Sequence, residues 1–273
     1  MFGTVVSGAE AEKHLGDHGW VFVDCRYVLA DAEAGRRAYT EAHLPGSRYA
    51  DLEQDLSGPV IPGRTGRHPL PGLDHFAETA TSLGIGPDTQ VVAYDAGSGA
   101  MAAARLWWLL QWAGHDAVAV LDGGLANWIA DGRPATSDPS PEPHGPAFVP
   151  RERPGLVARA AELASHPLAD ARAEDRFRGE NETVDPVAGH IPGAVSLPFA
   201  GNLGPDGTLR PAAELRDRYA ALAEQGDPVF YCGSGVTAAL DVLAYRHAGL
   251  GMPRLYPGSW SEWITDPARP VAR

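Results

Sequence analysis

Short apolar runs alternate with longer segments of helical period along this chain. Val91-Val92-Ala93-Tyr94 reads as a buried strand, residues 100–112 as a helix, and Val118-Ala119-Val120-Leu121 as the next strand. Further on, Pro228-Val229-Phe230-Tyr231 reads as a strand that runs into a glycine-rich turn and then a helical pattern. Strand–helix–strand alternation predicts an α/β fold, a mainly parallel sheet with helices on its faces. In such sheets the functional cleft lies beyond the carboxyl ends of the strands. Cys232 follows Tyr231 at one such end.

The pattern occurs twice. Asp24-Cys25-Arg26 is echoed by Asp170-Ala171-Arg172, and His43-Leu44-Pro45-Gly46 by His190-Ile191-Pro192-Gly193. Tyr94-Asp95-Ala96-Gly97-Ser98-Gly99 is echoed by Tyr231-Cys232-Gly233-Ser234-Gly235, and Asp122-Gly123-Gly124 with Trp128 by Pro257-Gly258-Ser259 with Trp263. Four matches in one order, about 140 positions apart, predict a domain duplication, because the period is far too long for a solenoid. Residues 131–154 are rich in Pro, Ser and Gly and read as extended chain. The expected organisation is a first domain over 1–138, a linker over 139–154 and a second domain over 155–273.

Composition narrows the function. At 273 residues, two domains are the natural expectation. A net charge of −13 argues against nucleic acid or an anionic membrane as partner, while leaving room for a small anion held by a local arginine cluster. Two cysteines, with no Cys-x-x-Cys and no His-Glu-x-x-His, point to neither a disulfide framework nor a metal site. The longest apolar run, over about 101–113, contains Arg105 and Gln111 and is too short and polar for a membrane span. The first residues lack the basic and apolar regions of a signal peptide, so a reducing cytoplasm is expected.

The chemistry concentrates at Cys232. A lone cysteine after an apolar strand is usually a small buried hydrophobe. Here the glycine-rich turn Gly233-Ser234-Gly235-Val236-Thr237 lets backbone amides face the sulfur, and the helix behind adds partial positive charge that favours a thiolate. Both glycines are expected to take left-handed backbone angles. A phosphatase of the Cys-x5-Arg kind would need arginine where Ala238 stands. Cys25 reads as structural.

Taken together, His190-Ile191-Pro192-Gly193-Ala194, Cys232-Gly233-Ser234-Gly235-Val236-Thr237-Ala238 and Gly258-Ser259-Trp260-Ser261-Glu262-Trp263 make the chain resemble a tandem-domain rhodanese, over nearly its whole length. The resemblance implies two rhodanese-like domains, the first degenerate because Asp95 stands at the cysteine position. It implies sulfur transfer without a cofactor, from thiosulfate or 3-mercaptopyruvate through a Cys232 persulfide to cyanide or a thiol such as thioredoxin. A non-catalytic or sulfur-relay module acting through a protein partner is the alternative. By the same resemblance Ser234, His68 and an acid act with the cysteine. The acid falls among Asp51, Glu53 and Asp55, with Glu53 aligned to it. Arg176 matches the arginine that grips the donor anion, with Arg178 beside it; the loop residues Gly233, Gly235, Val236 and Thr237 complete the binding site. Members that favour mercaptopyruvate carry a second arginine shortly before the His-Ile-Pro-Gly motif, whereas residues 180–188 here are acidic and have none.

Overall fold

A computed structural model of the chain describes residues 1–100 and 102–273; Met101, where the longest apolar run begins, lies outside the described residues. The chain divides into two compact units. The first comprises Met1–Gly58, Pro71–Arg153 and Pro205–Leu209; the second comprises Pro59–Leu70, Pro154–Gly204 and Arg210–Arg273. The sequence-based domains are contiguous, and these units are not. The segment over 59–70 belongs with the second unit for a visible reason. The Arg67 amide donates to Ser261 Oγ at 3.1 Å, and Gly66 packs so closely that a Cβ there would lie 2.5 Å from the Gly258 carbonyl.

In the first unit, β1 (Val5–Val6), β2 (Trp20–Asp24), β3 (Arg48–Tyr49), β4 (Gln90–Tyr94) and β5 (Val118–Leu121) form a parallel sheet in the order β1-β5-β4-β2-β3. The helix predicted over 100–112 spans Ala103–Trp112 and every one of its residues is buried. Trp107, Trp108 and Trp112 are therefore core residues of the unit. Burial all round follows from its largely apolar composition, and Arg105 and Gln111 are buried with it.

The second unit repeats the plan. β6 (Leu168–Asp170), β7 (Ala194–Ser196), β8 (Val229–Tyr231) and β9 (Arg254–Leu255) form a parallel sheet in the order β7-β6-β8-β9, and a parallel bridge from Val157 to Leu255 stands where β1 stands in the first unit. Equivalent side chains do equivalent work. Arg26 pairs with Asp24 at 2.7 Å and caps the Ala42 carbonyl; Arg172 pairs with Asp170 at 2.6 Å and caps the Gly189 carbonyl. The Tyr94 hydroxyl accepts from the Leu44 amide, and the Tyr231 hydroxyl from the Ile191 amide. The two His-x-Pro-Gly turns are thus held in place by buried polar groups that would be costly to leave unpaired.

Candidate active site

The loop after β8 is built around Cys232, which is 2% exposed. The Gly235 amide donates to Sγ at 3.2 Å. The backbone of the cysteine is clamped from the other side: its amide donates to Ser259 Oγ at 3.1 Å, and its carbonyl accepts from the Trp260 amide at 3.0 Å. The Gly233 carbonyl accepts from Ser261 at 2.9 Å. Gly235 has φ +74°, and a Cβ there would sit 2.3 Å from the Pro257 carbonyl, so two constraints demand glycine. The expectation of left-handed angles at both glycines is corrected at Gly233, which does not have a positive φ. Space is what matters there, because a Cβ would meet Arg67 Nη2 at 2.8 Å. Val236 is buried, and Thr237 leads into the helix Ala238–His247 without capping it through its side chain.

Ser234 and His68 meet. Ser234 Oγ and His68 Nδ1 are 2.8 Å apart, and both residues are buried. The sequence separation is 166 positions, closed because the segment over 59–70 is part of the second unit.

The acidic stretch before the His-Ile-Pro-Gly turn does what its charge suggests. Glu182 accepts from Arg176 Nε at 3.0 Å and Nη2 at 2.9 Å, and Asp185 accepts from Arg176 Nη2 at 3.0 Å. Asp185 also pairs with Arg67 through Nη1. Burial alone would raise the Glu182 carboxyl, but hydrogen bonds from Arg176 and from the Asp185 and Val184 amides outweigh it and hold the carboxyl below its usual range. Sequence reasoning missed Arg67 entirely, although it stands next to His68. Arg178 is placed differently from the expectation: it closes the short helix Glu174–Phe177, is 46% exposed, and pairs with Glu174 and Glu180 at the surface.

In the first unit the loop after β4 holds a carboxylate in place of a thiol. Asp95 accepts from the amides of Gly97 at 3.1 Å, Gly99 at 3.0 Å and Ala102 at 3.4 Å. Cys25 is fully buried, and burial together with the Asp24, Asp95 and Asp55 charges pushes its thiol well above the ordinary range. That environment suits an inert core thiol. Glu53 Oε1 accepts from the Tyr27 hydroxyl at 2.7 Å, and Asp51 Oδ1 from the Glu53 and Gln54 amides. Among the described residues no group of His, Cys, Asp and Glu could hold a metal ion.

A parallel sheet whose strand end presents a buried cysteine to a glycine-rich loop, in a chain that repeats the plan with aspartate at that place, defines a duplicated α/β protein. The family model described as Rhodanese-like domain matches residues 7–131 and 155–266, and the chain belongs to the rhodanese family. It is 48% identical to a probable 3-mercaptopyruvate sulfurtransferase of Pseudomonas aeruginosa, over 98% of this chain and 97% of that protein. It is 38% identical to the 3-mercaptopyruvate sulfurtransferase of Homo sapiens, over 86% of this chain and 81% of that one, and 34% identical to the thiosulfate sulfurtransferase of Bos taurus, over 89% and 84%. Among solved structures, the 3-mercaptopyruvate sulfurtransferase from Leishmania major superposes with a TM-score of 0.84 at 34% identity, covering 96% of this chain and 75% of that one. The chain is a sulfurtransferase.

Proposed function

We propose that the second unit takes a sulfane sulfur from a small anionic donor onto Cys232 and passes it, as a persulfide, to a thiophilic acceptor such as cyanide or a dithiol of the thioredoxin kind. The observation that carries this reading is the Gly235 amide, which donates to Cys232 Sγ at 3.2 Å in the glycine-rich loop after β8. The Cys232 thiolate attacks the outer sulfur of the donor, and the bond from that sulfur to the rest of the donor breaks. Thiosulfate would leave as sulfite. 3-Mercaptopyruvate would leave as the pyruvate enolate, which must gain a proton while the donor thiol loses one. Cyanide then attacks the terminal sulfur of the persulfide, leaving as thiocyanate and restoring the thiolate.

Of the two donors, 3-mercaptopyruvate makes use of what this loop contains. Its transfer needs a proton moved from sulfur to carbon, and the Ser234–His68 hydrogen bond provides a path for it. Sulfite needs no such path. Arg176 supplies the cation that meets the donor carboxylate, and its partners Glu182 and Asp185 keep its fork oriented. The acid aligned from sequence, Glu53, has its Oε1 on Tyr27, and the step above does not require it. No helix among the described residues is long and apolar enough to cross a membrane. A reducing compartment such as the cytoplasm suits a chain with two free cysteines.

The test is intact mass spectrometry after incubation with either donor. Wild-type protein should gain the mass of one sulfur atom and lose it on adding cyanide, while Cys232→Ser gains none. His68→Ala should slow the 3-mercaptopyruvate half-reaction by about 100-fold or more and leave the thiosulfate half-reaction within a few-fold. Sulfur addition that survives Cys232→Ser would overturn the persulfide reading. Equal losses with both donors would overturn the proton path.

A further inference from the structure

We infer that Arg67 is a second donor-binding cation, the arginine whose absence from residues 180–188 the sequence left unexplained; this rests on the reading of Cys232 as the sulfur acceptor. Two guanidinium groups converge beside the residue that follows the cysteine. Measured from the Cβ position of Gly233, Arg67 Nη2 lies at 2.8 Å, Arg176 Nη2 at 3.8 Å and Arg176 Nη1 at 3.9 Å. The two arginines come from positions 109 apart in sequence, and one carboxylate, Asp185, joins them by pairing with Arg67 Nη1 and Arg176 Nη2.

What each arginine leaves unused is the informative part. Arg67 spends Nη1 on Asp185, and its Nη2 has no protein acceptor among the described residues. Arg176 spends Nε and Nη2 on Glu182 and Asp185, and its Nη1 likewise has none. A guanidinium that served only to brace Asp185 would be expected to offer it the two-pronged fork that carboxylates favour. Arg67 instead grips with one prong and turns the other toward Gly233. Its side chain is 29% exposed, so a small solute can reach it. Asp185, 2% exposed, holds side by side two cations that would otherwise repel. Two adjacent unfilled guanidinium prongs suit a carboxylate, or the sulfonate-like end of thiosulfate, bound across both arginines.

The absence of bulk at position 233 belongs to the same arrangement. Any side chain there would displace Arg67 Nη2, so glycine keeps the cation against the loop.

The test separates binding from sulfur transfer. In Cys232→Ser protein, which cannot accept sulfur, binding of thiosulfate and of 3-mercaptopyruvate is measured by titration calorimetry with and without Arg67→Ala. The expected result is affinity weakened about tenfold or more for at least one donor, with partial recovery in Arg67→Lys. In the enzyme with Cys232 intact, Arg67→Ala should raise the donor KM by a similar factor and leave cyanide discharge of preformed persulfide within about twofold. Affinity in the Cys232→Ser background that Arg67→Ala leaves unchanged, or equal losses in the two half-reactions with a lowered melting temperature, would overturn the assignment. If sulfur addition persisted in Cys232→Ser alone, the persulfide reading would fall, and the binding comparison would still decide the role of Arg67.

Discussion

The amide of Cys232 donates to the hydroxyl of Ser259 at 3.1 Å, and Ser259 holds φ at +55° to receive it. It is the one non-glycine residue with positive φ among the described residues, and it is fully buried. In the first unit the same turn is made by Gly124 at φ +59°, and the amides that follow, Leu125 and Ala126, donate to Asp95 and Ala96 as Trp260 and Ser261 donate to Cys232 and Gly233. The second unit thus accepts a strained serine where the first has glycine. Backbone strain of this kind persists where its surroundings impose it, often beside functional groups.

Removing the hydroxyl while keeping the strain should be the more damaging change. Ser259→Ala leaves the Cys232 amide without an acceptor and is expected to cost about 1–3 kcal/mol in urea unfolding. Ser259→Gly loses the same bond but relieves the left-handed penalty, so it should lie closer to wild type by about 1 kcal/mol. Both should slow the donor half-reaction. If Ser259→Gly proved the less stable of the two, the strain argument would be wrong.

The two loop glycines should respond differently to alanine. Gly235→Ala adds a Cβ against the Pro257 carbonyl and forces alanine to φ +74°, so a loss of about 2–4 kcal/mol and of sulfur transfer is expected. Gly233→Ala meets the far end of the Arg67 side chain, which can swing away. It should melt near wild type while raising the donor KM several-fold. Thermal melts with donor titrations check both, and a Gly233→Ala protein with unaltered KM would argue against a donor site over that glycine.

Behind the loop, Asp241 on the helix Ala238–His247 is fully buried. Its Oδ1 accepts from Asn202 and from the Tyr219 hydroxyl, while Oδ2 has no partner. Burial pushes its carboxyl up to about 7, against the Asn202 and Tyr219 hydrogen bonds and the Arg218 charge. A carboxyl whose folded value lies above its unfolded one favours the folded state when protonated. That contribution is complete below about pH 4 and is lost as pH rises to about 7. Asp241→Asn cannot titrate, so its melting temperature should gain on wild type as pH rises from 5.5 to 8.5. A gap of the same size at both pH values would exclude this origin.

Much of the fold could be read directly because local patterns carried it. Val91–Tyr94 and Val118–Leu121 are apolar enough to declare buried strands, and the motifs repeated in one order declare the duplication. The helix read from residue 100 starts at Ala103 in the structure, since Gly97 and Gly99 first donate to the Asp95 carboxylate. Arg178 was misplaced because its neighbour Arg176 has the same chemistry in sequence. Only the positions of Glu180 and Glu182 decide which of the two turns inward.

Cys232, its glycine-rich loop and the replacement by Asp95 were determined by the sequence itself, because a strand end, a turn and a helix start are short-range features written in adjacent residues. Which distant side chains join them was decided by tertiary structure. His68 reaches Ser234, and Arg67 reaches Gly233 and Asp185, only because the segment over 59–70 packs with the second unit through Gly66 and Ser261. No local propensity encodes such a pairing. It follows from close packing and from pairing every buried charge, and both conditions are met only when the whole unit has folded.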